Sequence, residues 1–263
     1  PALRSRISLH ADFGPAAGAG TMSADGKLVA VPNRKGAIQL VDISDPSHPR
    51  LVGEPLTGPK PLIEQISFSP NGHLLAAGDD GAQVHLWDIQ DPAHPVALPT
   101  LTGPATIVLF DQFSPDSKLL AAGSADKNVW LWDVADPAHP RLAAKLTGFS
   151  NYAFSLTFTP DNKTLIAGSA DGTMRVWDVS HPTTPALIAG PITACNGYVF
   201  FLAASPDGRS LAADCADDTI GLWDIAQPRH PRLVATLRAS SAPVYTSAFS
   251  PTGSVLSGSG ADQ

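Results

Sequence analysis

The sequence is short of several things, and each shortage removes a class of protein. It has only two cysteines, Cys195 and Cys215, in 263 residues. A small secreted scaffold held by disulfides uses many more, so the chain reads as cytoplasmic, in a reducing compartment. Charged residues make up 16%, the net charge is -7, and no long basic run offsets it. The attraction to phosphate backbones that dominates nucleic-acid binding is therefore missing, and no nucleic-acid partner is expected. No apolar stretch approaches the roughly 18–20 residues that span a bilayer, so no membrane is expected either. No segment carries the 3.6-residue period of an amphipathic helix. P-loop, G-x-S-x-G, C-x-x-C and H-E-x-x-H motifs do not occur, so no cofactor, metal or catalytic residue is expected. No signal peptide is visible, and the chain opens at Pro1 without an initiator Met. It reads as a piece of a longer polypeptide.

What is present is a repeat. Trp-Asp pairs recur at Trp87-Asp88, Trp132-Asp133, Trp177-Asp178 and Trp223-Asp224, with a variant at Val41-Asp42. A second marker keeps the same beat of about 45 residues: Ala24-Asp25-Gly26, Ser69-Pro70-Asn71-Gly72, Ser114-Pro115-Asp116, Thr159-Pro160-Asp161, Ser205-Pro206-Asp207-Gly208 and Ser250-Pro251-Thr252-Gly253. Within each period short apolar runs alternate with turn residues. Asn-Gly and Asp-Gly supply the positive φ of tight hairpins, and the Pro-rich connector typified by Asp136–Pro140 cannot continue a ladder. Four short antiparallel strands per period, here called a to d, define one blade of a β-propeller. One such sheet cannot bury both faces, so neighbours must stack around a channel.

The Trp-Asp marker, the Pro-Asp turn and the period resemble the WD-repeat family over essentially the whole chain. The Asp-Pro-x-His-Pro connector followed by Leu-x-x-x-Leu-Thr-Gly also resembles bacterial, especially actinobacterial, WD-repeat arrays, which often sit beside signalling domains. The expected fold is all-β: a propeller of four-stranded antiparallel blades, seven-bladed in preference to six-bladed, and incomplete in this chain. It is read as one domain over 1–263. Five full blades occupy about 16–237, an outer strand 1–9, and two strands of a further blade 244–259.

The sequence departs from the family in its polar core. Many WD repeats carry a Gly-His pair before strand a and a buried Asp–His–Ser–Trp network. Here Gly58-Pro59, Gly103-Pro104 and Gly148-Phe149 lack the histidine, and Ala77, Ala122, Ala167 and Ala213 replace the strand-b serine. Stability must then rest more on packing, with Trp132 buried between blades. The aspartates that remain, Asp126, Asp171 and Asp217, read as turn formers.

Candidate chemistry is thin. His48, His94, His139 and His230 hold equivalent connector positions, which a ring rotates apart, so they cannot converge on a metal. Counting the hairpin around Asp207 sets Cys215 opposite about Phe200, five residues from Cys195, which favours two free thiols over a disulfide. Trp130 stands where the other blades have Gln39, His85, Arg175 and Gly221, and reads either as a contact residue or as packing. The segments leading into strand a are rich in aromatics: Phe149, Tyr152, Phe154, Tyr198, Phe200, Phe201 and Tyr245. Large aromatics dominate interface energy, so Phe149, Tyr152, Phe154, Tyr198, Phe200 and Tyr245, with Trp130, are the candidate partner-binding set. The competing reading turns half of them into the core. The function expected is a non-catalytic protein-interaction scaffold or sensor module within a larger signalling or regulatory protein. Its partner would be another protein or peptide, or a neighbouring domain. The alternatives are a propeller enzyme with a channel site or an extracytoplasmic ligand or carbohydrate binder. The enzyme reading needs acids or histidines on the inward strands, where this sequence is apolar.

Overall fold

The computed structural model describes residues 20–33, 36–59, 62–238 and 244–260. Among these residues there is no helix, and the strands fall into sheets that follow the repeat. The first sheet is β1 (Thr21–Met22), β2 (Leu28–Pro32), β3 (Ile38–Asp42) and β4 (Arg50–Leu56). The second is β5 (Ile63–Phe68), β6 (Leu74–Asp79), β7 (Val84–Asp88) and β8 (Val96–Ala97). The third is β9 (Val108–Phe113), β10 (Leu119–Ser124), β11 (Val129–Asp133) and β12 (Arg141–Leu146). The fourth is β13 (Ala153–Phe158), β14 (Thr164–Ser169), β15 (Thr173–Asp178) and β16 (Ala186–Thr193). The fifth is β17 (Val199–Ala204), β18 (Ser210–Cys215), β19 (Thr219–Asp224) and β20 (Arg232–Arg238). A two-stranded sheet, β21 (Val244–Phe249) and β22 (Leu256–Gly260), comes last. Every pairing is between sequence neighbours and antiparallel, as in the blades of a propeller. The outer strand expected at 1–9 lies outside the described residues.

Burial explains the strand chemistry. In the second, third and fourth sheets strand b has a neighbouring blade on either face. Every residue of β6, β10 and β14 is buried, which is why these strands are runs of Leu, Ile, Ala and Gly with no alternation. Strand d is outermost and largely exposed. The glycine in strand b has a specific cause. A Cβ on Gly168 would lie 2.5 Å from Val199 Cγ1, because strand a of the next blade passes there. Cores form between blades rather than within them. One cluster joins Leu74, Val84 and Leu86 of the second sheet to Leu120, Trp130 and Trp132 of the third. Trp132 has 1% of its surface exposed, and its Nε1 donates to the Thr102 carbonyl at 3.3 Å. The indole thus finds a backbone acceptor in place of the side-chain network that this sequence lacks.

Polar side chains close the turns. Ser114 Oγ donates to Asp116 Oδ1 at 2.7 Å and accepts the Leu119 N–H at 2.9 Å. Ser69, Thr159 and Ser205 repeat the arrangement. These are side-chain substitutes for backbone turn bonds, and they set the hairpin register in each blade.

Candidate interaction face

The face that matters is built by a bulge. In every described sheet that has a strand a of full length, the a–b ladder slips by one residue near the start of strand a. Ala153 pairs with Ser169 and Ser155 with Gly168, so Phe154 is left out of the ladder. By the same slip Phe200 is left out between Val199 and Phe201, and Tyr245 between Val244 and Thr246. Glu64 and Leu109 hold the corresponding places in the second and third sheets. A bulge frees a residue from pairing and re-aims its side chain. Here it aims three aromatics toward the mouth of the propeller.

The residue before strand a is fixed by a second device. The carbonyl oxygens of Leu62, Ile107, Tyr152 and Tyr198 accept backbone N–H bonds at 2.9–3.1 Å from the b–c turns, at Asp80, Ala125, Ala170 and Ala216. With the main chain held there, Leu62, Tyr152 and Tyr198 stand outward, each 44–47% exposed. The turn aspartates hold the same loops from the other side. Asp126, Asp171 and Asp217 accept the N–H groups of Ala105, Ser150 and Asn196. Asp126 and Asp171 also accept those of Asn128 and Thr173 within their turns.

Together these place four aromatic rings in one group spanning three sheets. Phe154 and Tyr198 lie 6.5 Å apart, Phe154 and Phe200 5.8 Å, Tyr198 and Phe200 5.9 Å, and Phe200 and Tyr245 5.5 Å. Edge-to-face pairs dominate, which suits the ring quadrupoles. Tyr198 and Tyr245 are about half exposed; Phe154 and Phe200 are half-buried beneath them. Tyr152 is exposed on the same face. Phe110 meets Phe201 at 5.8 Å although they belong to the third and fifth sheets, so these innermost strands face a common axis. The fourth sheet has the small Ser155 between them, its hydroxyl donating to the Val199 carbonyl.

Two residues of the candidate set are not on this surface. Phe149 is buried, edge-on to Trp177 at 5.9 Å and covered by the Arg175 guanidinium at 4.5 Å. Trp130 is buried as well: its Nε1 donates to Asp126 Oδ2 at 3.0 Å, and Lys145 lies over the ring. The loop glycine Gly103, at φ +148°, passes so close that a Cβ would meet the indole at 2.6 Å. For both residues burial favours the packing alternative that the sequence left open. The slot that holds Trp130 lies beneath the loop leading into strand a, and it buries Gln39, His85 and Arg175 in the other blades. The connector histidines His48, His94 and His139 each bond the aspartate three residues earlier, at 2.8–3.0 Å.

The free-thiol reading is corrected. Cys195 and Cys215 form a disulfide with Cα atoms 5.4 Å apart. The bulge is the reason the count failed. Cys215 pairs with Val199, not Phe200, and the lead-in loop folds back so that Cys195 reaches the end of strand b. A repeated one-residue slip is visible in coordinates and silent in a sequence that reads as unbroken alternation.

Two buried carboxyl groups lie between blades. Asp111 fills a strand-a place held by Ile66, Leu156 and Leu202 elsewhere. It takes hydrogen bonds from the Ser67 hydroxyl and, at 2.9 Å, from the Gly78 N–H of the preceding blade. Burial nevertheless pushes its carboxyl up to about 7. Asp214 stands where the second, third and fourth blades have the strand-b glycine and is buried, with no hydrogen-bond partner for either oxygen among the described residues. Burial pushes it up to about 6, moderated by the nearby Ser247 hydroxyl.

This architecture is that of a β-propeller, and the sequence comparisons give it a family. The model of the WD domain, G-beta repeat, matches residues 50–88, 98–133, 141–178, 189–224 and 231–263, and that of the LVIVD repeat matches 20–57. The chain belongs to the WD-repeat family. No curated protein matches it. Among solved structures it is similar to a chain of the crystal structure of a mitotic checkpoint complex, with TM-score 0.78 and 21% identity over 92% of this chain and 70% of that one. At that identity the likeness shows the fold alone. With 1628 solved chains matching, the fold does not select a function.

Proposed function

We propose that this chain is a non-catalytic interaction module whose aromatic sector, centred on Tyr198, docks another protein or peptide or a neighbouring domain of the same polypeptide. The observation that carries the reading is the four-ring group of Phe154, Tyr198, Phe200 and Tyr245, with two tyrosines about half exposed and Tyr152 beside it. Aromatic rings add large contact area for little lost side-chain freedom, which makes them efficient anchors. Family membership supports a scaffold role, and the similar chain comes from a structure named for a multi-protein complex. The net charge of -7 favours a protein partner over a nucleic acid. A place within a larger signalling or regulatory protein is supported by the resemblance of the Asp-Pro-x-His-Pro connectors to bacterial repeat arrays.

The test is a titration of a partner recovered by pull-down, using proteins of matched melting temperature. Tyr152→Ala and Tyr198→Ala are expected each to weaken binding by about 2 kcal/mol, roughly thirtyfold. His94→Ala and His139→Ala, in exposed connectors away from the aromatic group, are expected to leave it unchanged. Loss with the histidine variants and none with the tyrosines would put the surface elsewhere.

A further inference from the structure

The loop before Tyr198 is held differently from its counterparts. In the fourth sheet the loop of Ser150–Tyr152 makes five hydrogen bonds to its own b–c turn. Ser150 N and Oγ donate to Asp171, Asn151 Nδ2 to the Ala170 carbonyl and Ser169 Oγ to the Asn151 carbonyl, while Ala170 N donates to the Tyr152 carbonyl. In the third sheet Ser124 Oγ donates to the Thr106 carbonyl at 3.1 Å in the same manner. Cys215 stands at the position of Ser124 and Ser169. The fifth loop keeps only two bonds to its turn, Asn196 N to Asp217 and Ala216 N to the Tyr198 carbonyl. The Cys195–Cys215 disulfide replaces the rest. Among the described residues the loop's remaining backbone bonds go to the preceding blade, where Ala194 N and Cys195 N both donate to the Gly172 carbonyl.

We infer that the Cys195–Cys215 disulfide is a redox-operated clamp that positions Tyr198 on the docking face, so that partner binding is strong when the clamp is closed and weak when it is reduced. This rests on the docking reading above. The co-reactant is a dithiol reductant. Both cysteines are buried, Cys195 less so at 7% exposed against 1%, and the reductant's thiolate attacks the Cys195 sulfur; Cys215 leaves as a thiolate and takes up a proton. The reductant's second thiol then attacks the mixed disulfide and releases the Cys195 thiol. Two electrons and two protons pass to the protein, and the reductant ends as a disulfide. The reduced loop is not set free entirely. The Cys215 sulfur lies 3.7 Å from the Ala194 carbonyl oxygen, where a thiol can donate weakly as the serines do. Opening therefore loosens Asn196–Tyr198 without unfolding the blade, whose ladder from Val199 onward is intact.

The experiment compares the oxidised chain, the chain reduced by dithiothreitol, and a Cys195→Ser/Cys215→Ser variant. The probe is a peptide selected from a displayed library on the oxidised chain. Hydrogen exchange of residues 194–198 is expected to accelerate at least tenfold on reduction while the fourth-sheet loop, residues 149–152, stays unchanged as an internal control. Peptide affinity is expected to fall about tenfold, the order set by having to immobilise an anchor and its loop on binding. The double-serine variant is expected to show the reduced affinity and no response to dithiothreitol. Should that variant fail to fold, the comparison of wild-type chain in its two redox states still decides. Peptides that lose affinity on Tyr198→Ala but bind both redox states equally would overturn the clamp alone. Peptides indifferent to Tyr198→Ala would overturn the docking reading. Unchanged exchange at 194–198 on reduction would overturn the clamp whatever the peptides do.

Discussion

Single residues in this chain depart from the repeat where something other than repetition sets the residue. Asp111 is the clearest case. Two blades put leucine and one puts isoleucine in its place, yet here a carboxyl group is sealed between the second and third blades. Its pKa rises from the ordinary 3.8 to about 7 because burial penalises the charged form more than the Ser67 and Gly78 bonds reward it. The sign of the pH effect follows from linkage. Below about pH 4 the group is protonated in both states. Between about 4 and 7 the unfolded chain has lost the proton while the folded chain still holds it, so stability falls as pH rises through that window. Asp214, raised to about 6, acts in the same direction. Asp111→Asn keeps the size and can still accept the Gly78 N–H, with its amide nitrogen donating to the Ser67 oxygen in place of the bond the carboxyl accepts, but it cannot titrate. Chemical denaturation at pH 4.5 and 7.5 should show a loss for wild type exceeding that of the variant by on the order of 2–4 kcal/mol. Equal pH slopes in the two proteins would mean that Asp111 stays ionised.

At the scale of the element, the informative features are the bulge and the stacking of strand b. The bulge frees Phe154, Phe200 and Tyr245 from the ladder, so one backbone irregularity accounts for the exposed aromatic group. Strand c supplies the opposite, a side chain that locks two blades together. Trp132 shares a core with Leu74 and Leu86 of the second sheet, Leu120 of its own sheet and Leu101 of the connector between them. Trp132→Ala should cost about 3–5 kcal/mol through lost burial and the cavity left behind, read as a lower denaturation midpoint with an unchanged slope. A midpoint within error of wild type would show that the indole contributes no packing there. The Pro-Asp turns and the Trp-Asp ends of strand c were legible in the sequence, because each depends on contacts within one repeat. The bulge was not legible, since Phe154 and Phe200 sit in apolar runs whose alternation gives no sign of a skipped residue.

For the molecule as a whole, each blade is stabilised by the faces of its neighbours, so protection should vary along the array. Amides of β10 and β14, buried along their whole length between flanking blades, are expected to exchange slowest. Those of β22, whose Ser257 and Gly258 are exposed, are expected to exchange fastest among the strands. Exchange in β22 as slow as in β14 would show that a further surface covers that edge. What the sequence determined alone was the propeller architecture and the four-strand blade, properties repeated every 45 residues or so and fixed by local turn chemistry and hydrophobic pattern, together with the aromatic character of the later lead-in loops, which is plain in their composition. What only the tertiary structure decided was which aromatics are available. Phe149 and Trp130 look like Tyr152 and Tyr198 in composition, yet the first two are buried beside Trp177 and beneath Gly103 while the others stand outward. The same is true of the disulfide. Exposure and the meeting of Cys195 with Cys215 depend on how a loop crosses its own blade, which is a relation between residues some twenty apart and leaves no periodic trace in the chain.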